Sequence, residues 1–180
     1  MKTFARSVHR LHRLDDAQIH QLADVLRDCV DGGASVSFMH PLTNERAVAF
    51  WRGVANSVAA DERALLVAED ELGICGTVHL VLSQPENQPH RAELSKMLVH
   101  RRARCQGVGA ALLQAAEDMA RECGKSLLVL DTASGEAERL YERQGWTRVG
   151  VIPGFALLPQ GGLCATTLYY RDLGVSPAQH

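Results

Sequence analysis

The chain has 180 residues, with 19 basic and 21 acidic side chains and a net charge of −2. This length is sufficient for one domain with a substantial core, so residues 1–180 are predicted to form a single domain. The balanced charge disfavours nucleic acid or an anionic membrane as a partner, and no apolar run approaches the roughly 18 residues that span a bilayer.

The first half of the chain contains patterns of both helices and strands. Ile19, Leu22 and Leu26 recur at helical spacing after an acidic residue suited to capping a helix. The predicted elements are a strand at 3–12, a helix from Asp15 or Asp16 to about Val30, a loop at Ala34–Leu42, a helix capped by Thr43, and strands at Ala64–Glu69 and Ile74–Ser83 joined by a tight hairpin.

The second half continues the alternation and predicts a mixed α/β (α+β) fold. Ser126–Leu130 is nearly all apolar, as expected of a strand covered on both faces. The predicted elements are a loop at Gln84–His90, a strand at Ala92–Val99, a helix at Gly107–Cys123, a strand at Ser126–Leu130, a short helix at Glu136–Gln144, and strands at Trp146–Val151 and Cys164–Tyr170 around a loop.

The cysteines and histidines indicate neither disulfides nor a metal site. The five cysteines are scattered and form no CxxC, which predicts reduced thiols in a cytoplasmic protein. The eight histidines show no HExxH spacing, so no metal cofactor is expected. The N-terminal residues lack the apolar segment of a signal peptide, in agreement with a cytoplasmic location.

The segment Glu93–Glu122 has the pattern of an anion-binding loop. A strand leads into a basic turn, and Gly107 and Gly109 then open a long amphipathic helix. Glycines let the backbone approach a phosphate, and a helix start presents unpaired N–H groups and about half a positive charge. The alternative is that the glycine pair only makes a turn. The loop is neither a Walker loop nor a dinucleotide fingerprint, since GxGxxG fails at Leu112.

Three segments resemble the GNAT superfamily of acyl-CoA N-acyltransferases. Arg104–Gly109 has the R-x-x-G-x-G pattern of its motif A, Met97–Val99 resembles the strand before that loop, and Leu140–Trp146 resembles its LYxxxGF/W motif. The resemblance covers Ala64 to Tyr170. It implies a central mixed sheet of about six or seven strands flanked by helices, and acetyl-CoA as the co-substrate.

A closer resemblance links the chain to one GNAT subfamily. The segments GGASVSFMHPL, RAELSKMLV, LDT and TRVGVIPGF are similar to those of the tabtoxin-resistance acetyltransferases. Those enzymes acetylate the amine of a small amino-acid toxin. The resemblance implies transfer of an acetyl group to the primary amine of a small molecule, such as an amino acid, and a role in antibiotic or toxin resistance.

The GNAT resemblance also implies a set of residues that bind acetyl-CoA. Backbone groups of Leu98 and Val99 would pair with the pantetheine arm, and the N–H of Leu98 would stabilise the thioester oxygen. Cys105 stands where the family often has glycine, and Ser134 where many relatives have asparagine. The implied coenzyme-binding residues are Leu98, Val99, Arg104, Cys105, Gln106, Gly107, Val108, Gly109, Ala110 and Ser134.

Two carboxylates are candidates for the base that deprotonates the amine. Glu93 begins the strand before the anion loop, where GNAT relatives often hold a base, and Asp131 ends a strand, where ligands of open α/β sheets gather. Both could instead bind the substrate ammonium. Glu93 has the further alternatives of being a solvated charge at the strand end or of pairing with Arg91, and Asp131 has that of capping a turn with Thr132.

Tyr141 is the candidate acid. It matches the tyrosine that protonates the leaving thiolate in many GNAT relatives, and its alternative is an aromatic packed beneath the helix. The acceptor is expected to contact the loops Gly33–Leu42 and Pro153–Gly162, with Phe38 and His40 as candidate substrate-binding residues.

Other functions remain open at this level. The same residues fit an acetyltransferase for protein or peptide amines, a catalytically silent coenzyme-A-binding module, or a nucleotide-binding protein. A silent module would not need Tyr141, Glu93 and Asp131, so their presence favours an enzyme. The oligomeric state is expected to be a monomer or a homodimer.

Overall fold

The computed structural model describes residues 7–174, which contain a seven-stranded mixed sheet and four α-helices. A short 3₁₀ turn at Arg101–Ala103 follows the fourth strand. The elements are β1 (Ser7–Leu11), α1 (Asp16–Asp31), α2 (Asn44–Ala59), β2 (Arg63–Asp70), β3 (Gly73–Val81), β4 (Arg91–Val99), α3 (Val108–Glu122), β5 (Leu127–Thr132), α4 (Gly135–Arg143), β6 (Thr147–Leu157) and β7 (Leu163–Asp172).

The sheet order is β1-β2-β3-β4-β5-β7-β6, and the neighbours β4 and β5 are parallel. The other neighbouring pairs are antiparallel. Helix α3 makes the crossover between the parallel strands, as such a connection requires. The predicted mixed sheet with flanking helices is confirmed. Residues 3–6 of the predicted first strand lie outside the described residues.

Helices cover the sheet on opposite faces. Leu65 and Val67 of β2 join the apolar cluster formed with α1 and α2, whereas Leu66 and Ala68 join the cluster formed with α3. This alternation follows from the two-residue period of a strand. Trp51 of α2 is fully buried in the first cluster.

The predicted helix starts are confirmed by capping hydrogen bonds. Asp15 caps α1, because its carboxylate accepts from the Gln18 N–H at 2.8 Å while the Gln18 side chain accepts from the Asp15 N–H at 3.0 Å. Thr43 caps α2 by accepting from the Arg46 N–H at 3.3 Å. These side chains satisfy donors that the helix itself leaves unpaired.

Two predictions from the sequence are corrected by the structure. The loop expected to begin at Pro153 begins later, because β6 continues to Leu157. A register shift between Ile152 and Ala156 accommodates the proline, which an edge strand tolerates. Leu128 and Leu130 of β5 are buried but Leu127 and Val129 are only half-buried, so β5 is not equally covered on both faces.

His79 of β3 is fully buried, and its Nε2 lies within hydrogen-bond distance, 3.3 Å, of Arg63 Nη1. Burial, followed by the charges of Arg63 and Lys96, lowers the pKa of His79 to about 3.

No helix within residues 7–174 combines the length and the apolar character needed to cross a bilayer.

Candidate active site

The candidate site lies where two parallel strands separate. The β4–β5 ladder ends at the pair Glu93–Val129, although β4 continues to Val99 and β5 to Thr132. A bulge accompanies the separation: Lys96 has a left-handed φ of 49°, and the β3–β4 register shifts between Thr77 and His79. The open stretch of β4 beyond Glu93 has no ladder partner on the β5 side, so an extended ligand can pair with it.

A cavity of about 1080 Å³ occupies this opening and collects most of the predicted site residues. They come from segments that lie far apart in the sequence. Those that line it are Phe38, Glu93, Leu98, Val99, Arg104, Cys105, Gly107, Val108, Gly109, Ala110, Asp131, Ser134 and Tyr141.

Two predicted residues, Gln106 and His40, do not line the cavity. The Gln106 side chain turns back and donates to the Arg102 carbonyl at 2.9 Å. His40 is exposed, and its Nε2 lies 3.5 Å from an oxygen of Asp31. Phe38, from the same loop, does line the cavity, and its ring contacts Phe50 edge-on with centroids 5.2 Å apart.

The start of α3 has the form of an anion site. Gly107 occupies the N-cap position with φ 83°, and no side-chain hydrogen bond caps this helix end. A β-carbon at Gly107 would meet no atom within 4 Å, so space remains open beside the backbone. Residues 108–110 line the cavity, and their N–H groups belong to the helix start, which leaves such donors without a partner inside the helix. Cys105 also adopts a left-handed φ, 57°.

Gly109 is explained by packing rather than by backbone freedom. A β-carbon there would lie 3.1 Å from Leu140 Cδ2 on α4. The contact sets how closely the start of α3 approaches the helix that holds Tyr141. The two glycines of the loop thus have different roles, since Gly107 provides an unusual backbone conformation and Gly109 allows close helix packing.

The arginines of the loop make hydrogen bonds to other parts of the fold instead of being free to bind phosphate. Arg101 donates to the buried carboxylate of Asp28 through its backbone N–H at 2.8 Å and through Nε. Arg102 donates to Asp70 at 3.0 Å. Arg104 lines the cavity, but its Nε donates to the Val99 carbonyl at 3.0 Å. This oxygen of β4 is therefore already engaged, which restricts the expected pantetheine pairing there.

Both candidate carboxylates face the cavity from adjacent strands. Glu93 is exposed on β4, and Arg91 Nε donates to Gln88 at 2.8 Å instead of to Glu93. Asp131 lies within β5 rather than in a turn, and its Oδ2 accepts from Thr166 Oγ1 at 2.7 Å. The alternatives of an Arg91 pair and of a turn cap at Asp131 are therefore not observed in the described residues.

Tyr141 is both a packed aromatic and a cavity-lining residue. It is 4% exposed on α4, with its ring centroid 5.6 Å from that of Trp146 and 5.7 Å from that of Tyr169. Burial, followed by the negative charge of Asp131, raises the pKa of Tyr141 well above its ordinary value. The phenol therefore keeps its proton at neutral pH, which a proton donor requires.

Lys96 and Ser37 also line this cavity, although neither was predicted from the sequence as a site residue. Lys96 Nζ donates to Ser37 Oγ at 3.0 Å. The lysine inside the strand segment LSKMLV does indicate a functional position, because a charged residue is unusual among apolar neighbours. Arg139 and Arg143 of α4 also line the cavity and are exposed. Within residues 7–174, no cluster of His, Cys, Asp or Glu suits a metal ion.

Comparisons with known proteins bear on the family and the fold of the chain. The family model of the acetyltransferase (GNAT) domain matches residues 61–148. An uncharacterized N-acetyltransferase from Azospirillum brasilense, named for its position in the hisH–hisA intergenic region, is 32% identical over 161 residues. The match covers 80% of this chain and 94% of that relative.

Two solved structures share the fold at lower identity. A GNAT superfamily phosphinothricin acetyltransferase from Sinorhizobium meliloti, in complex with AcCoA, has a TM-score of 0.78 at 18% identity, covering 97% of this chain and 92% of that one. A ribosomal-protein-alanine N-acetyltransferase from Brucella melitensis has a TM-score of 0.77 at 22% identity, covering 92% and 99%. The 32% identity to the Azospirillum relative over 80% of the chain, together with the family-model match, shows that the chain belongs to the GNAT family of acetyltransferases.

Proposed function

We propose that the protein transfers an acetyl group from acetyl-CoA to the primary amine of a small molecule. The observation that carries this proposal is the cavity at the β4–β5 separation. It combines an uncapped helix start, two carboxylates on neighbouring strands and a buried tyrosine that keeps its proton. These are the parts needed to bind a phosphate-bearing acyl carrier and to move protons beside it.

The residues present fit acetyl-CoA, which supplies an acetyl group activated as a thioester when bound. The N–H groups at the start of α3 would hold the diphosphate, and the open edge of β4 would pair with the pantetheine arm. The open space beside Gly107 supports this assignment, because a ligand can approach the backbone there. The Sinorhizobium relative, whose structure contains AcCoA, supports it further.

The two carboxylates would bind the ammonium group of the acceptor and remove a proton from it. An alkyl amine with a pKa of about 10.4 is neutral in only about one molecule in 2,500 at pH 7, so deprotonation costs about 4.6 kcal/mol. Glu93 and Asp131 would hold the ammonium and take its proton before the nitrogen attacks the acetyl carbon. The Tyr141 hydroxyl would give its proton to the sulfur that leaves, and the second proton lost from the attacking nitrogen would restore that hydroxyl, so the acyl-transfer products are an amide and a thiol.

Several observations favour a small acceptor over a peptide. Two segments line the cavity and limit the space at its acceptor end. They are the loop from Gly33 to Met39 and the hairpin residues from Phe155 to Leu158. The similarity to tabtoxin-resistance enzymes, seen in the sequence segments, supports an amino-acid-like toxin as one candidate.

The five described thiols are free, which supports a reducing compartment such as the cytoplasm.

A peptide amine is the second candidate. Phe155 and Leu157 are 54% and 51% exposed while also lining the cavity, so apolar surface is available at its mouth. The Brucella structure named for a ribosomal-protein alanine has the same fold. An extended peptide could place its N-terminal amine between the carboxylates and its second residue on this surface.

The test is acetyl-CoA-dependent thiol release with a panel of amines, amino acids and short peptides. The proposal predicts turnover with one or more small amines and little with peptides. Turnover confined to peptides would select the second candidate. Silence with every acceptor, despite tight binding of coenzyme A, would identify a coenzyme-binding module. Thermal stabilisation by ATP or NAD but not by coenzyme A would instead indicate a nucleotide-binding protein.

A further inference from the structure

A half-buried ammonium stands at the acceptor end of the cavity. Lys96 occupies the bulge of β4, and its Nζ donates to Ser37 Oγ at 3.0 Å and lies 6.0 Å from the centre of the Phe50 ring. Lys96, Ser37, Glu93 and Asp131 all line the same cavity. The positive group therefore shares one space with both candidate carboxylates.

This cation has no ion-pair partner within 4.0 Å among residues 7–174. Burial, followed by the charge of Arg63, lowers the pKa of Lys96, and Asp131 and Glu93 oppose that shift with smaller effects. Nearby, Arg63 contacts His79, which stays neutral near pH 7. Lys96 is thus a positive group of the cavity lining without a contacting carboxylate among the described residues, and the charge of Arg63, which lies outside the lining, adds to the positive potential there, so an anion is favoured at this end.

We infer that the acceptor carries a carboxylate in addition to its amine, and that Lys96 Nζ and Ser37 Oγ bind this carboxylate. The inference rests on the proposed function and names the acceptor class as amino acids. Lys96 is then a specificity-determining residue that no reaction step requires. It would accept an amino acid and disfavour the matching amide or decarboxylated amine.

The charges of the site orient such an acceptor. An amino acid is a zwitterion at neutral pH, with an ammonium and a carboxylate. Lys96 repels the ammonium and attracts the carboxylate, while Glu93 and Asp131 do the reverse. The amine is therefore directed toward the point at which β4 and β5 separate, and the carboxylate toward the Gly33–Met39 side. An amine that lacks a carboxylate is attracted by Glu93 and Asp131 but makes no favourable contact with Lys96.

The test compares acceptor pairs in the thiol-release assay. The probes are L-amino acids, their amides and their decarboxylated amines, each measured with wild type, Lys96→Met and Lys96→Arg. Every variant keeps a β-carbon at the left-handed φ of 49°, so backbone strain is unchanged. Arg52→Met is the matched control, because Arg52 is 62% exposed, pairs with Asp16 and lies outside the cavity lining.

The wild type is expected to prefer the acid over its amide. Lys96→Met should lower the ratio of kcat/KM values for acid and amide by about 10- to 150-fold, the range for losing a hydrogen bond to a charged group. The loss should lie in KM for the acid. Lys96→Arg should retain most of the ratio, and Arg52→Met all of it. If Lys96→Met does not fold, Ser37→Ala should lower the same ratio by about 3- to 10-fold.

The outcomes separate this inference from the function on which it rests. Equal turnover of acids and amides by the wild type, or an unchanged ratio in Lys96→Met, would overturn the carboxylate site and leave the acetyltransferase proposal standing. Silence with every amino acid, amide and amine would overturn the small-amine function, and the carboxylate site with it.

Discussion

Glu93 is the last residue of β4 that pairs with β5, and its partner is Val129. Asp131 lies two residues farther along β5, and Lys96 lies three residues farther along β4 at the bulge. Two carboxylates and one ammonium thus surround the point at which the strands separate. The divergence opens the cavity and also determines which charges line it.

Replacing Tyr141 with Phe tests the proton donor. The ring should keep its packing against Trp146 and Tyr169, while the hydroxyl is lost. Because acid catalysis typically contributes 10²–10⁴-fold, kcat should fall by about that factor with acetyl-CoA binding nearly unchanged. Steady-state kinetics and coenzyme titration provide the measurements. Wild-type turnover in this variant would remove Tyr141 from the mechanism.

Replacing both carboxylates tests the base. The double variant Glu93→Gln and Asp131→Asn should lose about 10²–10⁴-fold in kcat/KM at pH 7 for an acceptor whose amine has a pKa near 10. As the pH rises toward that pKa, the amine loses its proton to solvent and needs no base. The deficit should therefore shrink with increasing pH. A deficit that stays constant up to about pH 9.5 would mean that these residues only bind the acceptor.

Gly107 tests the anion loop, and Gly124 provides the matched control. Both have a left-handed φ, 83° and 71°, and a β-carbon at either would meet nothing within 4 Å. Alanine should therefore cost about 1–2 kcal/mol of unfolding free energy at each position. Only Gly107→Ala should weaken coenzyme A binding, because Gly124 ends α3 away from the cavity.

Denaturant unfolding and coenzyme titration measure the two effects separately. Equal affinities of the two glycine variants for coenzyme A would show that the start of α3 does not hold the coenzyme. A loss of affinity in Gly107→Ala alone would assign the effect to the site, since both variants carry the same kind of backbone strain.

His79 predicts a loss of stability in mild acid. Its pKa is lowered from 6.5 to about 3 in the fold by burial and by the charges of Arg63 and Lys96. Between these values the unfolded chain binds one more proton than the folded chain. The free energy of unfolding should therefore fall as the pH drops below 6.5, by up to about 1.4 kcal/mol per pH unit from this group.

The variant His79→Gln should lose this contribution, with the exposed His12→Gln as its control. Denaturant unfolding from pH 7 to pH 5 gives the slope for each protein. A shallower slope in His79→Gln alone is expected. Equal slopes in wild type and His79→Gln would mean that the imidazole is not kept neutral by the fold.

The sequence predicts the fold well because its local signals are strong. Asp15 and Thr43 mark helix starts by capping, and the GNAT-like segments lie along a strand, loop and helix that the structure contains. The boundary at Pro153 was wrong, because an edge strand can bulge around a proline and continue. Sequence periodicity does not distinguish such a bulge from a loop.

The site is only partly predictable from the sequence. Residues inside the matched motifs, such as Gly107 and Tyr141, line the cavity as expected. Lys96 was missed because its importance depends on a bulge and on a contact with Ser37, which lies 59 positions away. Arg101 and Arg102 belong to the basic turn before α3, but long-range pairing with Asp28 and Asp70 engages them. Such pairings depend on tertiary structure and have no local signature.

A crystal structure with acetyl-CoA bound would show directly whether the start of α3 holds the coenzyme. We expect the diphosphate within hydrogen-bond distance of the N–H groups of residues 108–110, the pantetheine arm along β4 beyond Glu93, and the sulfur beside the Tyr141 hydroxyl. A coenzyme bound elsewhere, or a Tyr141 hydroxyl directed away from the sulfur, would contradict this expectation.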